Sequence, residues 1–249
     1  MTPSEVFEAL HRGLPQQGPG SDASTLRALA LVPGLPAAPD VLDVGCGPGR
    51  QTLALAQATG GRVTAVDLAP AFLAEVEERA RGAGLASRIT TRCESLDAVA
   101  LRDTSFDLVW SEGALYTVGF ETALRALRRL LRPGGALAAT ELTWLRDDPP
   151  AAARDFWREA YPPMTTREGN HRALEAAGYA PLADFALPDA DWWQGYYAEL
   201  EPRIARLRAQ VAGEPAACAA LDASQREIDL RRHYPDAYGY VFYVALRAG

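Results

Sequence analysis

A short apolar run at residues 41–44 leads into glycine at every second position, Gly45, Gly47 and Gly49, and then into a helix-like segment. Glycine lets a chain reverse within a few residues and lets backbone approach a ligand with no Cβ between them. A turn of this kind joins a buried strand to a helix and so restricts the chain to the α/β classes. The flanking pattern agrees. Strand-like runs at 41–44, 62–66, 88–92, 106–110 and 136–142 alternate with helix-like segments, one starting at Pro70 and another, over 121–131, stopped by Pro133, Gly134 and Gly135. That alternation predicts a doubly wound, mostly parallel sheet with helices on both faces. Asp67 closes the second strand, where an acid can accept hydrogen bonds from both hydroxyls of a ribose.

After the fifth strand the rhythm changes. An aromatic-rich helical stretch at 155–161 and an amphipathic helix at 167–177 precede a strand at 179–187. Helical segments at 193–212 and 216–232 then separate it from a last apolar strand at 240–246. A long helical insertion at the ligand edge of a sheet reads as a lid. The expected organisation is one domain over 1–249. It comprises N-terminal helices and a flap (1–35), a cofactor-binding core (36–187), a lid insertion (188–238) and the last strand (239–249).

Composition removes whole chemistries. All 25 basic residues are arginine, so a phosphate-loop lysine, a kinase strand lysine and a Schiff-base amine are all unavailable. A net charge of −7 argues against a surface that neutralises phosphates, hence against a nucleic-acid partner. No run is long and apolar enough for a membrane span, and residues 1–13 do not read as a secretory signal. Three dispersed cysteines without a C-x-x-C predict neither a disulfide framework nor a metal site. The expectation is a reduced, cytoplasmic protein, monomer or homodimer.

The glycine spacing discriminates further. A dinucleotide fingerprint needs its third glycine at position 50, which is Arg50; the chain instead reads G-x-G-x-G. V-L-D-V-G-C-G-P-G (41–49), with Asp67, S-F-D-L-V-W (105–110) and L-R-P-G-G-A-L (131–137), resembles the class I S-adenosylmethionine-dependent methyltransferases. Q-G-P-G-S (17–21), W-S-E-G-A-L-Y (110–116), T-E-L-T-W (140–144), F-W-R-E-A-Y-P (156–162) and Y-G-Y-V-F (238–242) are similar to a bacterial subgroup acting on small molecules. The resemblance implies a Rossmann-like seven-stranded sheet with an antiparallel last strand, and S-adenosyl-L-methionine as cofactor. It implies that the turn Gly45-Gly47-Gly49 meets the methionine part of the cofactor, with Asp43 near its ammonium. Asp67 would hold the ribose and Leu68 the adenine. Backbone groups of Ser95 and Leu96 would serve where the family often has an acid, and the Gly18–Ser21 loop would form a flap over the cofactor, where the residues alone also allow a plain turn. Ser111 and Glu112 would lie beside the methyl-transfer centre.

Methyl transfer is an in-line displacement for which a protein aligns reactants, excludes water and, where the nucleophile carries a proton, supplies a base. Glu112 follows the fourth strand and Glu141 ends the fifth, so both open toward one crevice; with Tyr116 they are the candidates for acting on substrate. Aromatic residues crowd the same stretches: Trp110, Trp144, Trp157, Tyr161, Trp192, Trp193, Tyr196, Tyr238 and Tyr240. Carboxylates beside aromatic faces favour a cation, which predicts an amine or otherwise cationic substrate methylated on nitrogen. A flat aromatic or quinone-like metabolite, methylated on oxygen or carbon, suits the same lining. A non-catalytic cofactor-binding module is the third reading. Glu112 could instead only orient the cofactor's ammonium, and Trp110 reads as core. His233 is the best of three histidines for a base, and the arginines at 203–208 and 231–232 read as solvated helix faces.

Overall fold

A computed structural model describes residues 1–96 and 98–249. Five parallel strands, β1 (Asp40–Val44), β2 (Arg62–Asp67), β3 (Ile89–Cys93), β4 (Phe106–Ser111) and β5 (Leu131–Trp144), are continued by β7 (Tyr179–Ala186) and β8 (Tyr238–Arg247). The order is β3-β2-β1-β4-β5-β8-β7, with β8 antiparallel to both neighbours. A two-residue strand, β6 (Thr165–Thr166), adds to the end of β5 as an eighth.

Period-two alternation divides the side chains between two layers. Leu42, Val44, Leu137 and Ala139 face α5 (Phe120–Arg128) and α7 (Arg167–Ala176). Val41, Leu108, Ala136 and Ala138 face α2 (Asp22–Ala30), α3 (Arg50–Thr59) and α4 (Pro70–Gly82). The strand order reverses between β1 and β4, and the crevice beyond their carboxyl ends is where a ligand has room between crossovers running in opposite directions.

Two local expectations change. Helix α5 stops at Arg128, and β5 begins at Leu131 rather than at 136. Phe106 pairs with Leu131 and Leu108 with Ala136, so Arg132–Gly135 form a bulge inside the strand pair instead of a break before it. The helix expected over 193–212 is also interrupted. Short α8 (Ala190–Trp192) runs into a wide turn at Trp193–Tyr197, where Gly195 has φ +76°, before α9 (Ala198–Gln210) begins.

The lid, completed by α10 (Pro215–His233), builds a second core against α1 (Pro3–His11) and α6 (Ala151–Ala160). Leu10, Trp157, Trp192, Ile204, Leu221 and Tyr238 meet there. Two arginines read as solvated prove structural, because a planar guanidinium on a long stem can cap carbonyls and stack on rings. Arg203 donates to the carbonyls of Leu10 (3.0 Å) and Arg12 (2.7 Å) at the end of α1. Arg231, 3% exposed, pairs with Asp189 at 2.8 Å and lies 4.3 Å over the Trp192 ring.

Candidate active site

The turn after β1 is drawn tight by backbone: Gly45 and Cys46 N–H both donate to the Val66 carbonyl, at 2.8 and 3.0 Å. Gly45 has φ +67°, and a Cβ there would lie 2.2 Å from the Ala114 Cβ, so the turn presses directly on the loop following β4. Asp67 clamps the same turn from β2, accepting from Gly47 N–H and Ala69 N–H, each at 2.9 Å. Between turn and loop lies a cavity of about 260 Å³. Gly45, Gly47, Asp67, Leu68, Ser95 and Leu96 line it, as do Glu112 and the flap residues Gln16 to Pro19.

Five residues expected at this cavity do not line it, Glu141 among them. The Asp43 carboxyl is fully buried behind the turn, where the Thr52 hydroxyl (2.5 Å) and Gln51 amide (3.4 Å) donate to it; burial raises its pKa to about 7. Asp43 thus holds the start of α3 and does not line the cavity. Gly49 serves packing, since a Cβ would come within 2.7 Å of Val76. Ser111 is buried and donates to the Val44 carbonyl at 2.9 Å, tying β4 to β1. Tyr116 lies beyond the cavity, edge-on to Tyr161 with centroids 6.0 Å apart.

Glu112 reaches the cavity but is already occupied. It receives Arg50 Nη2 (2.5 Å), the Thr25 hydroxyl (2.7 Å) and the Trp110 indole N–H (2.8 Å). Arg50 also meets Asp22 at 2.8 Å. Burial opposes the Arg50 charge, yet Glu112 and Asp22 outweigh it and raise its pKa. The network fastens α2 and the flap across the cleft. The flap is held from the lid side too: Gly20 N–H donates to the Asp191 carbonyl (3.1 Å), and the Ser24 hydroxyl to its carboxylate (2.5 Å).

The cavity suits a nucleoside joined to an amino acid. Apolar Leu68, Phe72 and Leu96 line it together with Asp67, and two buried polar atoms of lining residues, Gln17 Oε1 and Arg50 Nε, have no hydrogen-bond partner. These residues give the cavity an apolar slot and an acid. Among the described residues no cluster of acid, His and Cys side chains has the arrangement of a metal site, and no helix is long and apolar enough to cross a membrane.

Glu141 does not share the Glu112 cavity. It is 3% exposed, accepts from the Tyr161 hydroxyl at 2.6 Å, and burial raises its pKa to about 7 against that hydrogen bond. It lines a separate cavity with Tyr161, Arg125 and Arg172 that shares no lining residue with the cofactor cleft. A second acid lies on the lid. Glu227 of α10 accepts from the Tyr197 hydroxyl at 2.7 Å, and burial raises its pKa. Tyr116, half exposed as a residue, has its pKa raised by burial and then by the charges of Glu227 and Glu141. Tyr240 is likewise shifted well up by burial, with both acids contributing. Glu227 escapes sequence reading because nothing in the polar stretch around it sets it apart from a solvated acid.

The histidines also rearrange. His233 is exposed, with Nδ1 2.7 Å from the Asp229 carbonyl at the end of its own helix. His11 is the buried one. Its Nδ1 donates to the Phe7 carbonyl (2.8 Å), its Nε2 lies 3.3 Å from the Tyr196 hydroxyl, and burial lowers its pKa.

Residues 42–139 match a family described as a methyltransferase domain. A malonyl-[acyl-carrier protein] O-methyltransferase of Enterobacter lignolyticus is 34% identical over 186 residues, 73% of this chain and 70% of that protein. A ubiquinone biosynthesis O-methyltransferase of Xanthomonas oryzae pv. oryzae is 42% identical over 159 residues, 60% of this chain and 63% of the relative. Other curated relatives are spanned over as little as 37% of their length. In three dimensions, a SAM-dependent methyltransferase from Geobacter sulfurreducens, solved with S-adenosyl-L-homocysteine, aligns at a TM-score of 0.81 and 19% identity, covering 98% of both chains. With the glycine turn, Asp67 and the sheet order in place, the chain belongs to the class I S-adenosylmethionine-dependent methyltransferases, an enzyme family that here serves small molecules.

Proposed function

We propose that the chain methylates the nitrogen of a small cationic amine. The observation that carries this reading is a pair of tyrosine-held carboxyls among aromatic side chains, Glu141 with Tyr161 at 2.6 Å and Glu227 with Tyr197 at 2.7 Å. Buried acids in an aromatic wall favour a cation over an anion, each ring contact contributing roughly 0.5–2 kcal/mol. The sequence expectation paired Glu112 with Glu141; with Glu112 committed to Arg50, the cation site moves to Glu141 and Glu227.

S-adenosylmethionine supplies an electrophilic methyl on sulfur. Gly45, Gly47, Asp67 and Leu68 would hold it, with Ser95 and Leu96 at the adenine end. Glu141 then serves as base: its pKa near 7 suits it to take the proton of an ammonium at neutral pH. With that proton on Glu141, the amine's lone pair would be free to take the methyl group that a bound S-adenosylmethionine would supply, the electron pair of the broken S–C bond remaining on sulfur. Tyr161 holds Glu141 in place, and Tyr116 and Tyr240 border the cation.

A turnover screen with methyl donor against amines, phenols and carboxylates, reading product masses, tests the proposal. Methylated amines and competition by cationic amines support it. Methylated phenols, uninhibited by amines, favour O-methylation instead, the reaction named for the relatives from Enterobacter and Xanthomonas.

A further inference from the structure

One end of the cofactor is an amino acid, with an ammonium that needs acceptors and a carboxylate that needs donors. Asp43, the acid expected beside the ammonium, does not line the cleft. The acids that do line it are engaged. Asp67 accepts from Gly47 and Ala69 N–H. Glu94 accepts from Arg92 Nε at 2.7 Å and from Ala100 N–H at 2.8 Å. Glu112 accepts from Arg50, Thr25 and Trp110.

Two other lining side chains each keep one atom unpaired. Gln17 rests on the glycine turn, its Cγ 3.6 Å from where a Gly47 Cβ would lie. Its amide N–H is 3.5 Å from the His11 carbonyl, and its Oε1 is buried without a partner. The flap around it is held in place, since the Gln16 amide donates to the Gly20 carbonyl at 2.9 Å and Gly20 N–H to the Asp191 carbonyl at 3.1 Å. Arg50 opens α3 directly after the turn. Its terminal nitrogens serve Asp22, Thr25 and Glu112, and its Nε is buried without a partner. An amide oxygen can only accept and a guanidinium N–H can only donate. A buried acceptor and a buried donor, both unpaired at the same turn, are the complement of an ammonium and a carboxylate, and either left empty is costly.

We infer that Gln17 and Arg50 read the amino-acid end of S-adenosylmethionine: Gln17 Oε1 accepts from its ammonium, and Arg50 Nε–H donates to its carboxylate. The assignment stands apart from the N-methylation reading, because it concerns the cofactor and holds whichever substrate atom is methylated. It makes the flap a recognition element as well as a cover.

Calorimetry on the full chain, without substrate, tests this with S-adenosylhomocysteine, its decarboxylated analogue and 5′-methylthioadenosine, which keeps the nucleoside and thioether but has no amino acid. Gln17→Leu should weaken S-adenosylhomocysteine by about tenfold or more, the scale of a lost hydrogen bond to a charged group, and leave methylthioadenosine within about twofold. Gln17→Glu keeps an acceptor and should retain affinity for S-adenosylhomocysteine. Both variants are expected to fold, because the Gln17 side chain gives up one long hydrogen bond at 3.5 Å. Arg50→Lys keeps a cation for Glu112 but removes the Nε donor, so it should weaken S-adenosylhomocysteine by about tenfold and the decarboxylated analogue by about twofold at most. Unchanged affinity for S-adenosylhomocysteine in Gln17→Leu overturns the inference. A loss shared equally by methylthioadenosine also overturns it, since the flap has then only lost its shape. In the unaltered protein the decarboxylated analogue should bind about tenfold more weakly than S-adenosylhomocysteine. Equal binding of the two overturns the carboxylate assignment whether or not Arg50→Lys folds.

Discussion

The cofactor cleft and the lid-side wall both hold buried acids, and they treat them differently. In the cleft every acid is satisfied from several directions. Asp67 has two backbone donors, Asp43 has Thr52 and Gln51, and Glu112 has Arg50, Thr25 and Trp110. On the lid side, Glu141 has the Tyr161 hydroxyl and the Leu142 backbone, and Glu227 has the Tyr197 hydroxyl; burial raises both pKa values, as it does that of Asp43. Acids with full hydrogen-bond complements fix backbone; acids left short are free to exchange protons and to take a ligand. The cleft is therefore scaffold and the wall is reagent.

The largest expected effect breaks the scaffold side. Asp67→Ala removes both the proposed ribose acceptor and the clamp on Gly47, so cofactor affinity measured by calorimetry should fall by about a hundredfold or more. Unchanged affinity would sink the ribose assignment. On the reagent side, Glu141→Gln should lower kcat by roughly a hundredfold, the usual scale for a lost base.

The same substitution should have an opposite effect on stability. The folded pKa of Glu141 is near 7 against an ordinary 4.5, so the unfolded chain loses this proton first as pH rises. The folded state is thereby weakened progressively between those values, and the full penalty, roughly 3 kcal/mol, is present above pH 7. Melting curves of the ligand-free variant should thus lie several degrees above the parent at pH 8 and coincide with it near pH 4. Equal melting at pH 8 would contradict the burial argument.

Gly45→Ala comes next. The 2.2 Å approach to Ala114 and the left-handed backbone together should cost about 2–4 kcal/mol in a thermal melt. Ala114→Gly on that background should recover the steric part and leave the backbone part. The smallest effect belongs to Glu112→Gln. It weakens the Arg50 pair without emptying the cleft, so cofactor affinity should fall by less than about tenfold. A turnover loss as deep as that of Glu141→Gln would return Glu112 to the chemistry and blur the division between the two regions.

Most of the scaffold could be read from the chain because it is written in local backbone rules. A glycine at positive φ, an acid closing β2 and alternating apolar strands each act within a few residues of themselves. The bulge at Arg132–Gly135 was misread because Pro-Gly-Gly also ends helices, and only the pairing of β4 with β5 decides between the two. The reagent wall was half legible. Glu141 stood out as a strand-end acid. Glu227 did not, because an acid on an amphipathic helix faces water or a neighbour according to what packs there, and its neighbours come from other elements. The pairing of Glu112 with Arg50 was hidden for the same reason, since it joins residues separated by 62 positions.

The bond from Ser24 to Asp191 spans 167 positions. Such a contact cannot form until most of the chain exists, and long-separation contacts are entropically late in folding. During synthesis the strands around the glycine turn can pair well before the segment that fastens the flap has left the ribosome. The methyl-donor pocket is therefore among the last parts of the protein to acquire its final shape, although the turn that defines it is among the first to be made.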